Sequence, residues 1–292
     1  MEERPLLCVV GPTASGKTGL ACELALRLGG EVVSCDSMQI YKGMDIGTAK
    51  VTPEEARGIA HHMIDCAEPS RPWSAGRYAR AARTRIAEIR ARGVVPIVCG
   101  GSGLWLRALT EGLSDIPDCP ALDHGPDAYE RLLKADPVTA ARLSPADRQR
   151  VFRALDVFAA TGRPLSEFHK EKGAPLAYTC VGIRHEPRQK LYDRINARAR
   201  RMVEDGLIKE TEALLQSGLS ADSPPMRAVG YRETCAFLLR GEDTPETRGE
   251  LINAIAQSTR RFAKRQMTWF LNQTETAWFA PEDLITLKNC KM

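Results

Sequence analysis

The chain lacks any apolar run of the roughly 18 residues that a membrane-spanning helix requires, so nothing in it is expected to cross a bilayer. It also lacks a C-x-x-C pair. Its nine cysteines (Cys8, Cys22, Cys35, Cys66, Cys99, Cys119, Cys180, Cys235 and Cys290) are odd in number and scattered. That usage supports neither a disulfide framework nor a zinc site and fits a reducing compartment. The start, Met1-Glu2-Glu3-Arg4-Pro5, runs directly into an apolar stretch without the shape of a signal peptide, so a soluble cytoplasmic protein is expected. Internal repeats and low-complexity tracts are absent. So is a strong excess of one charge: 41 Lys and Arg against 37 Asp and Glu leave a formal +4. That total neither demands nor excludes a polyanionic partner. What is present is globular in proportion, with 43% apolar, 27% charged and 6% aromatic residues, which excludes a wholly disordered or fibrous chain. A length of 292 residues predicts one α/β body with an appendage.

Short apolar runs alternate with helical stretches. Leu6-Leu7-Cys8-Val9-Val10 ends at Gly11 and reads as a buried parallel strand. Residues 19–28 look helical and stop at Gly29-Gly30. Glu31 to Ser34 is a second strand that delivers Asp36. Residues 76–92 have helix-forming content, and Val94 to Cys99 is a third strand despite Pro96, an objection to that assignment. Gly100-Gly101-Ser102-Gly103 then opens a helix over 104–109. The recurrence predicts a parallel sheet with helices on both faces, with ligands collecting beyond the carboxyl ends of its strands. Loops 11–18, 36–39 and 100–103 lie at those ends.

After Gly112 the texture changes. Residues 113–127 hold three prolines and little periodicity, and one short helix is predicted over 128–134. The expected division is a core of 1–112 and 142–292 with a short insertion at 113–141. Helical pattern resumes at Asp147, a strand is predicted within 174–184, one long helix over 187–216, and a last long helix from Thr244-Pro245.

The sharpest motif is Gly11-x-x-x-x-Gly16-Lys17-Thr18 between a strand and a helix. Glycines at this spacing let backbone N–H groups turn inward around a phosphate, and the helix adds its positive N-terminal end. Lys17 supplies a point charge, and the Thr18 hydroxyl suits Mg²⁺. A P-loop kinase or NTPase also needs an acid after an apolar strand to support the metal. The 94–98 strand ends in Cys99-Gly-Gly, so Asp36 is the well-placed acid, either for metal support or as a general base. The plainer reading is an Asp that caps its own loop. Gly100 to Gly103 resembles a second anion-binding turn, with Ser102 giving a directed hydroxyl, although glycine turns open many helices.

Basic residues cluster in three places: Arg184, Arg188, Lys190, Arg194, Arg198, Arg200 and Arg201; Arg260, Arg261, Lys264 and Arg265; and Arg148, Arg150 and Arg153 beside Gln149. Any one group can be a solvated helix face. Three of them on a P-loop chain favour a nucleic-acid partner. His61-His62 is read as structural, and Trp73, Trp105, Trp269 and Trp278 as packing residues.

Several segments together resemble the tRNA dimethylallyltransferase (tRNA isopentenyltransferase) family. They are Gly11 to Thr18, Asp36-Ser37-Met38-Gln39, Tyr41 with Asp45 to Lys50, His61 to Asp65, Gly100 to Leu104, Gln149 to Leu155, Thr161 to Ser166, Arg227 to Arg232 and Thr259 to Phe270. The set runs in order to about residue 270. The resemblance implies transfer of a dimethylallyl group from dimethylallyl diphosphate to N6 of the adenosine just 3′ of a tRNA anticodon, releasing diphosphate. It implies that Gly11, Thr13, Ala14, Ser15, Gly16, Lys17 and Thr18 hold the diphosphate, with Mg²⁺ on Thr18. Asp36 would accept the amine proton, and Lys17 and Ser102 would join it in catalysis. Ser102 stands where the family carries threonine, and Trp105 where it carries tyrosine. The target base must leave its stack, with Gln39 the candidate reader. Asp36, Ser37, Met38, Gln39, Gln149, Arg150, Val151, Phe152, Arg153, Arg227 and Arg232 are the implied tRNA-contacting positions. The partners implied are the anticodon stem-loop and dimethylallyl diphosphate, with no membrane, and a monomer is expected.

One departure stands out. Family members carry a longer helical insertion between the positions of Gly112 and Gln149, so either this one is trimmed or a stretch is missing. Three other functions are set against the leading one: a P-loop kinase of a small metabolite, a prenyltransferase of free adenine nucleotide, and an RNA-binding module with an idle P-loop.

Overall fold

The computed structural model describes residues 5–283 apart from 113–115, 118 and 172. Met1 to Arg4, Cys290 and Leu113, Ser114, Asp115 and Asp118 of the expected insertion lie outside the described residues. The chain forms two compact units, 1–106 with 177–292, and 107–176.

The first unit is an α/β sandwich. Its elements are β1 (Leu6–Val10), α1 (Lys17–Leu28), β2 (Gly30–Ser34), α2 (Pro53–Ala56), β3 (His61–His62), α3 (Ala75–Ala91), β4 (Val95–Gly100) and the start of α4 (Gly103–Glu111). The second unit contributes α5 (Ala128–Ala135), α6 (Pro137–Ala140), α7 (Arg148–Thr161) and α8 (Leu165–Phe168). The chain then returns to the first unit with β5 (Tyr178–Ile183), α9 (Arg188–Glu204), α10 (Leu207–Gln216), a 3-10 turn (Pro225–Arg227), α11 (Tyr231–Arg240), α12 (Pro245–Gln273) and β6 (Thr276–Phe279). The sheet runs β3-β2-β4-β1-β5-β6, and every pairing is parallel. β1 pairs with β4 in the register Val10↔Gly100, so the P-loop and the glycine turn leave the sheet side by side.

The strands read as unbroken apolar runs because both faces are covered. Val9, Val32, Ile97 and Cys99 pack with Leu20, Ala21 and Ala25 of α1. Alternate residues Cys8, Val33 and Val98 are buried too. Each such aliphatic side chain contributes about 1.5–3 kcal/mol when fully buried. Pro96 is tolerated because β4 begins its register with β1 only at Ile97.

Three expectations change. The helix expected over 187–216 is two helices, because Gly206 sits at φ 109° and caps α10 in a left-handed conformation. The strands β3 and β6 were not expected; they have two and four residues, too short for a period to show. The second unit is wider than the expected insertion at 113–141. Its core joins Ala128, Leu132 and Ala140 to Val151, Ala154 and Leu155, so α7 belongs with α5. Inside it the His124 imidazole lies 2.8 Å from the Asp156 carboxylate, and both are buried. No described helix is long and apolar enough to cross a membrane.

Candidate active site

Three loops of the site rise from strand ends in the first unit, after β1, β2 and β4, and helices α9, α11 and α12 complete its wall. After β1 the chain enters the loop with Ala14 at φ 63° and Gly16 at φ 97°, then starts α1 at Lys17. The loop is held from outside. Arg194 of α9 donates to the Ala14 carbonyl at 2.8 Å, and His185 lies 2.9 Å from the Ser15 carbonyl. Those two carbonyls are the ones a regular helix would offer to the N–H groups of Thr18 and Gly19. Turned outward, they leave these N–H groups without a backbone partner among the described residues. The result is a set of inward donors at the positive end of a helix, which suits an anion.

Not every expected donor is free. The Thr13 N–H donates to the Gln266 side chain at 2.8 Å, and the Ser15 N–H to the Pro12 carbonyl at 3.3 Å. The Thr13 donor is thus taken by α12 and the Ser15 donor by the loop itself, so a diphosphate would meet these two residues through other atoms or after those bonds open. Thr13 still lines the cavity described below. Lys17 lies close to the Pro12 carbonyl, at 3.4 Å. Burial pulls the Lys17 ammonium below its ordinary value, and the nearby Asp36 charge opposes that shift.

Asp36 follows β2. Its Oδ1 accepts the Met38 N–H at 2.9 Å, so the loop-capping reading describes one oxygen of the carboxylate. Ser102 braces this arm: its Oγ accepts the Ser37 N–H at 2.9 Å and bonds the Ser37 hydroxyl at 3.2 Å. The hydroxyl kept at this position is therefore spent on the Asp36 loop. Gln39 is also engaged. Its amide donates to the Thr48 and Ala49 carbonyls at 3.3 and 3.1 Å, and its carbonyl oxygen accepts from Ser34. Both amide protons are committed to the 48–49 backbone, which leaves a base only an acceptor lone pair of Oε1.

The loop over 45–49 is fixed from the other side. The Glu210 carboxylate accepts the N–H groups of Asp45, Ile46 and Gly47 at 2.9, 2.8 and 3.0 Å, and the Tyr231 hydroxyl at 2.7 Å. Arg198 of α9 donates to the Thr48 carbonyl at 3.4 Å. Burial lowers the Arg198 guanidinium below its ordinary value, while Asp36 favours its charge.

These pieces enclose one cavity of about 350 Å³. Its wall carries five cations, Lys17, Arg198, Arg227, Arg232 and Arg265, and one carboxylate, Asp36. Apolar surface comes from Val32, Val51, Ile64, Ile195, Met202 and Val229. Thr18, Ser37 and Met38 line it as well. Arg232 is tied to Glu233 and Ser258, whereas among the described residues Arg227 makes a long contact of 3.8 Å to Asp222.

The remaining candidates lie elsewhere. Gln149 and Arg150 are exposed on α7, and Arg153 is half-buried there. Val151 is a correction: at 1% exposure it belongs to the core of the second unit and offers RNA no side chain. Phe152 is half-buried, edge-on to His124 and covered by Arg148. His62 joins Arg92 on Glu31, as a structural pair should, but His61 reaches the cavity wall. No group of three metal-ligating residues exists among the described residues. Trp105 stacks on Tyr78 at 4.3 Å, a packing role as expected. Sequence reasoning assigned no role to Glu210, Tyr231, His185 or Gln266, and took Arg198 only as one charge of a basic cluster.

A parallel sheet with an anion loop at one strand end and a lone carboxylate facing it defines a P-loop group-transfer protein. A family model described as IPP transferase matches residues 39–273. A tRNA dimethylallyltransferase of Geotalea uraniireducens is 44% identical over 97% of this chain and 95% of its own. One from Geobacillus kaustophilus is 45% identical over 94% and 90%. The full-length tRNA isopentenylpyrophosphate transferase of Bacillus halodurans superposes with a TM-score of 0.72 at 37% identity, over 98% of this chain and 95% of that one. A eukaryotic dimethylallyltransferase acting on tRNA gives 0.79 at 26% identity, over 95% and 74%. The chain belongs to the IPP transferase family of tRNA-modifying prenyltransferases. The family-model match begins at residue 39, beyond the P-loop and Asp36, so the reading of those two rests on their geometry.

Proposed function

We propose that this chain transfers a dimethylallyl group from dimethylallyl diphosphate to N6 of the adenosine 3′ of the anticodon in tRNA, releasing diphosphate. The observation that carries this reading is the cavity wall, where five cations and the inward P-loop donors face one carboxylate across an apolar lining. The adenine N6 lone pair attacks C1 of the dimethylallyl group. The C1–O bond breaks, and its electron pair leaves with the diphosphate. The N6 proton passes to Asp36. Lys17, Arg198 and the N–H groups of Thr18 and Gly19 stabilise the charge that grows on the leaving oxygen, which is the largest usual source of rate enhancement in such sites.

Mg²⁺ fits the oxygen donors present. The Thr18 hydroxyl would be its protein ligand, with diphosphate oxygens and water supplying the rest, as this ion prefers. When bound it neutralises diphosphate charge. Arg227 and Arg232 on the wall, and Gln149, Arg150 and Arg153 on α7, are proposed RNA contacts. We take the working protein to be a cytoplasmic monomer.

Incubation with labelled dimethylallyl diphosphate and tRNA tests the reading. Label entering RNA supports it. ATP turnover without RNA labelling favours the kinase, and labelling of free AMP in preference to tRNA favours the nucleotide prenyltransferase. Asp36→Ala that abolishes transfer while tRNA affinity holds excludes the idle-loop RNA binder.

A further inference from the structure

We propose that Gln266 is a positioning residue that sets the distance between the leaving-group cradle and the acceptor carboxylate. The inference rests on the prenyl-transfer reading above. Gln266 lies on α12 between the exposed Arg265 and the half-buried Met267, yet its own side chain is buried at 7% exposure. Burying a carboxamide is costly unless its groups are bonded. Here both ends are used. Oε1 accepts the Thr13 N–H of the P-loop at 2.8 Å, and Nε2 donates to the Gly101 carbonyl of the glycine turn at 2.9 Å. Only this orientation of the amide pairs a donor with an acceptor at each end.

Packing alone does not call for an amide. A Met or Leu side chain would fill similar space without the cost of desolvation. What the amide adds is a tie between two loops that have left the sheet. The register of β1 with β4 ends at Val10↔Gly100, and Gln266 joins the loops just beyond that point. From Gly101 the connection continues through Ser102, whose hydroxyl accepts the Ser37 N–H next to Asp36. One side chain therefore links the residues that hold the diphosphate to those that face the amine. Transfer between them depends on that spacing, and errors of about 1 Å in such geometry cost up to about 100-fold in rate.

The test compares wild type, Gln266→Met and Gln266→Glu in steady-state transfer of dimethylallyl to tRNA, with melting curves on each. Gln266→Met is expected to lower kcat by about 10- to 100-fold while the KM for tRNA holds. Gln266→Glu keeps an acceptor for Thr13 but turns a second oxygen toward the Gly101 carbonyl. Protonation restores the missing donor, and burial raises a carboxyl pKa. Its kcat relative to wild type is therefore expected to climb as pH falls from about 8 to about 6. A purely structural amide predicts a lower melting temperature with kcat intact well below it, and that result overturns the proposal. So does a flat ratio for Gln266→Glu, which decides the matter alone if Gln266→Met does not fold. Failure of wild type to label RNA removes the reading beneath the proposal and is told apart by occurring before any substitution.

Discussion

The two compact units divide the proposed work by the kind of residue they expose. The sheet unit gathers residues from Thr13 to Gln266 around one cavity, and most of the polar side chains that shape it are bonded to protein. The helical unit presents Gln149, Arg150 and Arg153 on α7, with Arg150 paired at 3.1 Å to Asp147, the residue that caps the helix. Chemistry needs groups held within fractions of an ångström, whereas phosphate contacts on RNA tolerate motion because their energy is electrostatic and long-ranged. Substitutions in the first unit should therefore change kcat, and those on α7 should change affinity and its salt dependence.

The largest expected effect is that of Asp36→Ala, a loss of about 10²- to 10⁴-fold in kcat with tRNA affinity unchanged, read by single-turnover transfer. Lys17→Ala comes next, at about 10²- to 10³-fold in kcat/KM for the diphosphate substrate. Because burial lowers the Lys17 pKa, its charge is lost as pH rises through a value below the ordinary one for lysine, so kcat/KM should fall earlier on the alkaline side than an exposed lysine would allow. Kinetic parity of either variant with wild type would erase the contrast between the units.

Asp156→Ala sharpens it from the other side. Removing this carboxylate leaves His124 and the Leu122 N–H without their partner. A loss of about 1–3 kcal/mol is expected in denaturant titration, with the chemical step intact. The pair Arg150→Ala and Arg153→Ala should raise the KM for tRNA several-fold. Each lost phosphate contact should also flatten the log affinity against log salt slope by about 0.7–0.9.

The smallest effect concerns Glu31, whose carboxyl is held down to about 2 first by the Arg92 hydrogen bonds and then by His62. A depressed carboxylate stabilises the fold above its ordinary value of 4.5 and loses that contribution as pH falls toward 2. Arg92 is half-exposed, so the effect is on the order of 1 kcal/mol or less. The melting-temperature gap between wild type and Glu31→Gln should close over that pH window.

Much of this was legible in the residues. Long apolar runs and the Gly16-Lys17 spacing marked β1, α1 and the anion loop, and Asp36 stood out as the acid at a strand end. What could not be read were interactions made across long sequence separations. Gln266 sits 253 residues from Thr13, and Glu210 some 163 from Gly47, so no local pattern marks either as a clamp. The same limit hid the bonds of the Gln39 amide to the Thr48 and Ala49 carbonyls. Val151 lies within the matching segment, but a run of neighbouring residues on a helix cannot all face one way, and its side of α7 packs on the core.

Mass analysis of nucleosides from tRNA treated with the protein and dimethylallyl diphosphate tests the central claim most directly. The account predicts one adenosine, 3′ of the anticodon, carrying a dimethylallyl group in place of an N6 hydrogen, and none with Asp36→Ala. Unmodified adenosine with wild type, or modification undiminished by Asp36→Ala, would contradict it.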